Sequence, residues 1–198
     1  IDNHATQEGA ALGRIRWKDL NNDGKITEAD QEWIYDPTPD FTYGFNIYLE
    51  YKNFDFTAFF QGVQGVDIIS DLKKETDIWA GLNIGFLNKG RRLLDAWSAT
   101  NPNSNIPAVS LSDNNNEKRV SSYWVENGSY LKLRTVQIGY NVPKSFAQKL
   151  AMERLRFYLS AQNLFTLKSS SFTGVDPENP NYGYPIPLNI TFGLNVTF

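Results

Sequence analysis

The stretch Phe41-Thr42-Tyr43-Gly44-Phe45-Asn46-Ile47-Tyr48-Leu49-Glu50-Tyr51 decides the fold. Phe41, Tyr43, Phe45, Ile47, Leu49 and Tyr51 fall on one parity, and Thr42, Gly44, Asn46, Tyr48 and Glu50 on the other. Side chains of a strand point alternately to its two faces, so this period of two predicts a strand with one apolar face. Asp36-Pro37-Thr38-Pro39-Asp40 ahead of it is a rigid turn signal. Behind it, Lys52-Asn53 is a short turn. The alternation then resumes, with Phe54, Phe56, Ala58 and Phe60 against Asp55, Thr57, Phe59 and Gln61. Together these predict a long antiparallel hairpin.

The same signature recurs later in the chain. Over 130–142 the even positions are Tyr130, Lys132, Arg134, Val136, Ile138, Tyr140 and Val142, a face basic at one end and apolar at the other. Leu155, Phe157, Leu159 and Ala161 alternate with Arg156, Tyr158, Ser160 and Gln162. From Leu188, Ile190, Phe192, Leu194, Val196 and Phe198 alternate with Asn189, Thr191, Gly193, Asn195 and Thr197. Arg14 to Lys18 is a sixth, shorter candidate strand. Between the strands lie long polar segments at 19–40, 62–129 and 166–187. Within the second, Ile78 to Trp97 has some helical character, and Trp79 and Trp97 are candidate packing anchors.

Composition narrows the function. The 198 residues (22.5 kDa) carry a net charge of -3 and a pI of about 5.2, which argues against nucleic-acid binding. There is no cysteine, which excludes disulfide scaffolds, cysteine zinc sites and thiol nucleophiles. The one histidine, His4, leaves little room for a Ser-His-Asp relay or a multi-histidine metal site. No run of about 18 apolar residues writes a transmembrane helix. The mean hydropathy of -0.43 agrees, but barrel strands alternate and average low as well.

Two architectures fit alternating strands: a soluble β-sandwich and a transmembrane β-barrel. The second face is polar but rarely charged, rich in Asn, Thr, Gly, Gln and Ser, whereas a sandwich would turn charge to water. The connections are also lopsided. Those at 52–53 and 143–153 are short, and those on the opposite side are long, as in outer-membrane barrels with short periplasmic turns and long extracellular loops. The expected fold is therefore all-β, a transmembrane antiparallel barrel. Its extracellular loops fall at about 19–40, 62–129 and 166–187. Five or six strands cannot close a barrel, which needs about 8. Residues 1–198 are therefore expected to complete a larger barrel whose other strands lie upstream.

Several motifs carry a family resemblance. They are Asp19-Leu20-Asn21-Asn22-Asp23-Gly24-Lys25-Ile26, Pro39-Asp40-Phe41-Thr42-Tyr43-Gly44-Phe45 and Phe59-Phe60-Gln61-Gly62-Val63-Gln64-Gly65. Further on come Ser129-Tyr130-Leu131-Lys132-Leu133-Arg134, Ser160-Ala161-Gln162-Asn163-Leu164-Phe165 and the terminal Thr191-Phe192-Gly193-Leu194-Asn195-Val196-Thr197-Phe198. In this order they resemble the C-terminal end of the SusC/RagA-type TonB-linked outer membrane proteins. The resemblance implies the last six or so strands of a plugged barrel of about 22 strands. It implies import of oligosaccharides or peptides across the cell outer membrane, energised through TonB and lidded by a SusD-like surface lipoprotein. Phe198 resembles the terminal aromatic of the barrel-insertion signal. The resemblance implies no enzymatic activity. The competing reading is a soluble extracellular glycan-binding β-domain.

The acidic loop offers a metal site. Asp19, Asn21 and Asp23 stand at positions 1, 3 and 5, Gly24 at 6, Lys25 at 7 through its carbonyl, and Asp30 at 12. This is the spacing of an EF-hand-like calcium loop and resembles dockerin loops. A structural Ca2+ is expected there, and the plainer reading is an Asx-rich turn that needs no ion. Lys132 and Arg134 are candidates for an anionic ligand, or else solvated rim charges. Trp79, Trp97, Tyr123, Trp124, Tyr182 and Tyr184 are loop aromatics that can stack on sugar rings or pack the loops. Tyr48, Tyr51, Tyr140 and Tyr158 are candidates for interfacial girdles. Asp95 and Glu126 sit on no glycosidase motif.

Overall fold

The computed structural model describes residues 5–77, 90–180 and 183–198. Among them, seven strands form, with two short helices and several 3-10 turns: β1 (Phe41–Tyr51), β2 (Phe54–Gln64), β3 (Asp67–Ile69), α1 (Asp71–Asp77), β4 (Val125–Asn127), β5 (Tyr130–Asn141), α2 (Lys144–Ala147), β6 (Arg154–Lys168) and β7 (Asn189–Thr197). The five long strands form where the alternation predicts them, with β2 and β6 running three residues further than expected. Arg14–Lys18 forms no strand. His4, Trp79 and Tyr182 lie outside the described residues. The chain divides into two compact units, residues 1–35 with 69–125, and residues 36–68 with 126–198.

The second unit is a five-stranded antiparallel sheet in the order β1-β2-β5-β6-β7. Residues directly opposite in an antiparallel pair share a face, so the register assigns the two faces. Ile47 pairs with Ala58, Ala58 with Val136, Val136 with Ala161, and Ala161 with Ile190, one apolar row across the whole sheet. Leu49, Phe56, Ile138, Leu159 and Phe192 make the next row. The other face carries Thr57, Gln137, Ser160 and Thr191 in register.

β5 departs from the expected parity, and the cause is a bulge. Opposite the adjacent pair Phe59/Phe60, β5 spans Leu133 to Thr135, and β6 spans Gln162 to Phe165. The ladder absorbs Arg134 on β5 and Asn163-Leu164 on β6, with Asn163 at a positive φ of 55. A bulge inserts a residue and shifts the phase of the strand beyond it. Leu131 and Leu133 therefore join Val136, Ile138 and Tyr140 on the apolar face, and Tyr130 and Lys132 fall on the polar face with Gln137 and Asn141.

Exposure runs opposite to that of a soluble sheet. Phe41, Tyr43, Phe45, Leu49, Tyr51, Phe54, Ile138, Tyr140, Phe157, Leu159, Phe165, Leu167, Ile190, Phe192 and Leu194 are all exposed on the apolar face, Phe192 at 69% and Leu49 at 59%. On the polar face, Lys132 is completely buried and Asp55 nearly so. Fully burying a large apolar side chain yields ~1.5–3 kcal/mol, so leaving these half-exposed to water forfeits roughly 1 kcal/mol each. Summed over the face, that is comparable to the ~5–15 kcal/mol net stability of a domain.

Aromatic rings cover glycines on both faces. A Cβ on Gly62 would lie 2.1 Å from the Tyr43 ring, and one on Gly193 would lie 2.4 Å from Tyr158. Gly139 leaves room for an ion pair: its Cβ would fall 2.4 Å from Arg156 Nη2 and 2.5 Å from Asp55 Oδ1. Arg156 donates to Asp55 through Nε at 2.9 Å and through Nη2 at 2.5 Å, and Asn141 Nδ2 donates at 2.9 Å.

All the short turns leave one end of this sheet, at 52–53 and 142–153, and the long segments leave the other. Gly139→Val is expected to drive the Asp55–Arg156 pair apart and cost about 1–3 kcal/mol, read as a lower unfolding temperature of the full-length protein in detergent.

Candidate functional site

At the open end of the sheet, the strand charges gather a loop. Lys132 Nζ donates to Asp176 Oδ2 at 2.8 Å and to Glu178 Oε2 at 2.5 Å. Arg134 Nη2 pairs with Glu178 Oε1, and its Nε donates to Gln61 Oε1 at 2.8 Å. Tyr130 OH donates to Glu178 Oε1 at 2.7 Å. Below the same loop, Thr173 donates to Glu126 through its backbone N at 3.0 Å and through Oγ1 at 2.7 Å. Lys168 reaches the Gly174 carbonyl and lies 5.2 Å from the centre of the buried Phe172 ring. Lys132 and Arg134 are therefore neither rim charges nor an open anion site. They fasten segment 169–179 onto the polar face. Burial raises the Glu178 pKa, but the hydrogen bonds from Lys132, Tyr130 and Arg134 outweigh it and hold the carboxyl below its ordinary value.

The first unit is organised by buried polar side chains that no pattern in the sequence marks. Glu117 is buried, pairs with Arg14 at 2.6 Å and accepts from the Ile15 amide at 2.7 Å. Asn115 Nδ2 donates to the Ile15 carbonyl at 2.7 Å. Gln7 donates to the same carbonyl at 2.8 Å and accepts from the Trp17 amide at 2.9 Å. Trp124 is fully buried against Ile69 and Tyr123, and its indole donates to the carbonyls of Glu117 at 3.2 Å and Arg119 at 3.0 Å. Asp77 accepts from Tyr123 OH at 2.9 Å and pairs with Arg92 at 3.2 Å. Burial, with Asp77 beside it, pushes the Tyr123 hydroxyl far above its ordinary pKa.

These contacts sort the loop aromatics. Tyr123 and Trp124 are core, and Trp97 covers Gly13, whose added Cβ would lie 2.4 Å from the indole. Trp33 and Tyr184 remain exposed. Trp17, Trp33 and Tyr35 line a cleft of about 550 Å³ in the first unit with Asp30, Arg119 and Val120. That is room for a sugar ring or a peptide side chain. Of the girdle candidates, Tyr51 and Tyr140 lie on the exposed apolar face. Tyr48 and Tyr158 lie on the polar one, opposite Thr57 and Gly193. Asp95 holds Asn101, and Glu126 holds Thr173.

The acidic loop is closed by its own backbone. Asp19 accepts from the amides of Asn22 at 2.7 Å and Gly24 at 2.9 Å. Asn21 Oδ1 accepts from Asp23 N at 2.9 Å, and Asp23 Oδ1 from Lys25 N at 2.8 Å. Asp30 accepts from Thr27 N at 2.8 Å and Leu20 N at 2.9 Å, and these amides lower its pKa. Asn22 and Gly24 both take positive φ, at 61 and 81. Among the described residues, no three acidic or histidine side chains converge where a metal ion would sit. The positions match the calcium spacing, while the side chains are turned to amides.

No family model matches the sequence. Curated relatives do. The chain is 39% identical over 196 residues to TonB-dependent receptor P3 of Formosa agariphila, covering 91% of this chain and 18% of that protein. It is 28% identical over 192 residues to TonB-dependent receptor SusC of Bacteroides thetaiotaomicron, covering 91% of this chain and 17% of that one. Its fold matches a solved structure of the RagAB peptide transporter with a TM-score of 0.71 at 28% identity, over 88% of this chain and 19% of that one. The chain thus spans about a fifth of the length of the proteins it matches.

The loop latch titrates. A carboxyl with a lowered folded pKa contributes stability that is present above its unfolded value, 4.5 for Glu178, and lost as pH falls through the folded value. Segment 169–179 of the full-length protein is therefore expected to resist proteolysis at neutral pH and to open at acidic pH below that value. Lys132→Met, which leaves Asp176 without its cation, is expected to open it already at pH 7, since breaking a buried pair costs about 3–5 kcal/mol.

Proposed function

Because the chain belongs with the SusC/RagA-type TonB-dependent receptors, we propose that it forms wall and extracellular loops of an outer-membrane importer. The observation that carries this reading is the inverted sheet. One face of five strands is apolar and exposed, and the other buries Lys132, Asp55, Arg156 and their partners. In lipid the apolar face costs nothing, and the polar face lines the lumen. Among the described residues, β1 and β7 each leave one edge unpaired, the edges a larger closed barrel would pair. The work of the complete protein is transport by gated binding: a TonB-driven change frees substrate captured beneath a SusD-like surface lipoprotein. The cargo is an oligosaccharide or a peptide, and the RagAB neighbour favours peptides. The residues of this chain supply wall, fastened loops and lid contacts, with no bond chemistry. Its cleft around Trp17, Trp33 and Tyr35 is a candidate contact for cargo.

Purification of the native polypeptide from membranes tests this. The expected species needs detergent, has a mass several times 22.5 kDa and carries a lipoprotein partner. A 22.5 kDa protein soluble without detergent would overturn the reading in favour of a soluble glycan-binding domain.

Calcium on Asp19, Asn21, Asp23, the Lys25 carbonyl and Asp30 is a separate proposal, supported by ligand spacing and by a loop already curled around its carboxylates. Binding would turn the carboxylates inward from their amides. Millimolar Ca2+ is expected to slow proteolysis within 19–30, and Asp19→Ala to abolish the effect. Equal cleavage with Ca2+ or chelator would leave the self-closed Asx turn as the whole account.

A further inference from the structure

The connector between β5 and β6 carries an apolar stripe that the barrel reading does not require. α2 covers Lys144–Ala147, and a 3-10 turn over Gln148–Leu150 continues it. Ala147 is fully buried and seats the turn on the protein. The seat is fixed at both ends. The amide of Phe146 donates to the Pro143 carbonyl at 2.9 Å. After Ala151 reverses the chain at φ 55, Met152 N donates to the Ala147 carbonyl at 3.1 Å and Glu153 N to the Thr197 carbonyl at 2.7 Å. On this fixed turn Phe146 and Leu150, four residues apart, are 58% and 49% exposed. Lys144, Ser145, Gln148 and Lys149 around them are exposed as well.

The connector sits at the end of the sheet where the apolar face finishes in aromatics. Tyr51, Phe54 and Tyr140 form its last tier, with the Phe54 and Tyr140 ring centres 4.9 Å apart, and Lys52 lies 5.2 Å from the Tyr51 ring centre. Lys52, Lys144 and Lys149 border this end. Of the carboxylates here, Asp55 is spent on Arg156, which leaves Glu50 and Glu153. Lysine on a flexible stem beside exposed aliphatic and aromatic side chains suits a headgroup layer, with phosphate outside and acyl chain inside.

We propose that the 143–153 connector is a membrane-interface anchor for anionic phospholipid. Phe146 and Leu150 enter the acyl boundary, and Lys144 and Lys149 hold phosphate oxygens. This rests on the membrane reading above. It explains why a polar turn keeps two large apolar side chains in the open and holds them rigidly.

The test uses the full-length protein in nanodiscs of phosphatidylethanolamine and phosphatidylglycerol. Nitroxide labels are placed singly at 145, 146, 148 and 150, with labels at 159 and 192 on the apolar face as references. Labels at 146 and 150 are expected to collide preferentially with oxygen, like the references, and those at 145 and 148 with a water-soluble nickel chelate. The K144E/K149E double variant is expected to halve, at least, the enrichment of spin-labelled phosphatidylglycerol at the protein surface. Positions 146 and 150 open to the chelate, or shielded from both reagents, while the references stay oxygen-exposed, would overturn the anchor alone. Unchanged enrichment in the double variant would overturn the phosphate contact. Chelate access at the references would overturn the membrane reading itself.

Discussion

The antiparallel ladder from Phe41 to Thr197 leaves the chain no choice about where its side chains go. Once Ile47, Ala58, Val136, Ala161 and Ile190 lie in one row, every second residue of the five strands, up to the bulge at Arg134, is committed to the same surface. That surface is apolar and open. The other is polar and in part shut away beneath the strands' own loop. A water-soluble protein arranges the two the opposite way, because an exposed apolar sheet of this extent forfeits as much free energy as a domain has. The remaining features come from satisfying both faces at once: hydrogen-bonded charge on the polar face, and aromatic caps over glycines on both.

The charges on the polar face hold a loop. Lys132, Arg134 and Tyr130 belong to one short stretch of β5, and all three converge on Glu178. The bulge at Arg134 makes this possible, because it sends Lys132 to the polar side while the apolar row continues beyond. A single irregularity in the ladder therefore does two jobs. It keeps Leu131 and Leu133 in the apolar face, and it aims the cations at segment 169–179. In the first unit, Glu117, Asn115 and Gln7 do the same for residues 5–17, which have no hydrophobic pattern to fold them.

How much the sequence revealed depends on which interactions are periodic. The long strands were legible because each repeats its signal every second residue, and the lopsided connections oriented them. The bulge was not legible: Leu131, Leu133 and Val136 look out of phase until the partner strands show where Arg134 is set aside. The buried polar networks were illegible for a related reason. Asp176 and Glu178 sit in a loop more than 40 residues from Lys132, and Asn115 and Glu117 sit about 100 residues from Ile15. Only the fold brings such pairs together. The acidic loop was legible as a spacing, but spacing does not say whether a carboxylate turns to a cation or to its own amides.

The measurement that bears most directly on this account is a single-cysteine scan of β5 in the full-length, membrane-embedded protein. Each position from 130 to 141 would be challenged with a water-soluble and a lipid-soluble thiol reagent. Positions 131, 136, 138 and 140 are expected to react from the lipid, with the alternation changing phase across Arg134, and the intervening positions, with the covered 133, are expected to be closed to it. Uniform access to the water-soluble reagent along the strand, or strict alternation with no change of phase, would contradict it.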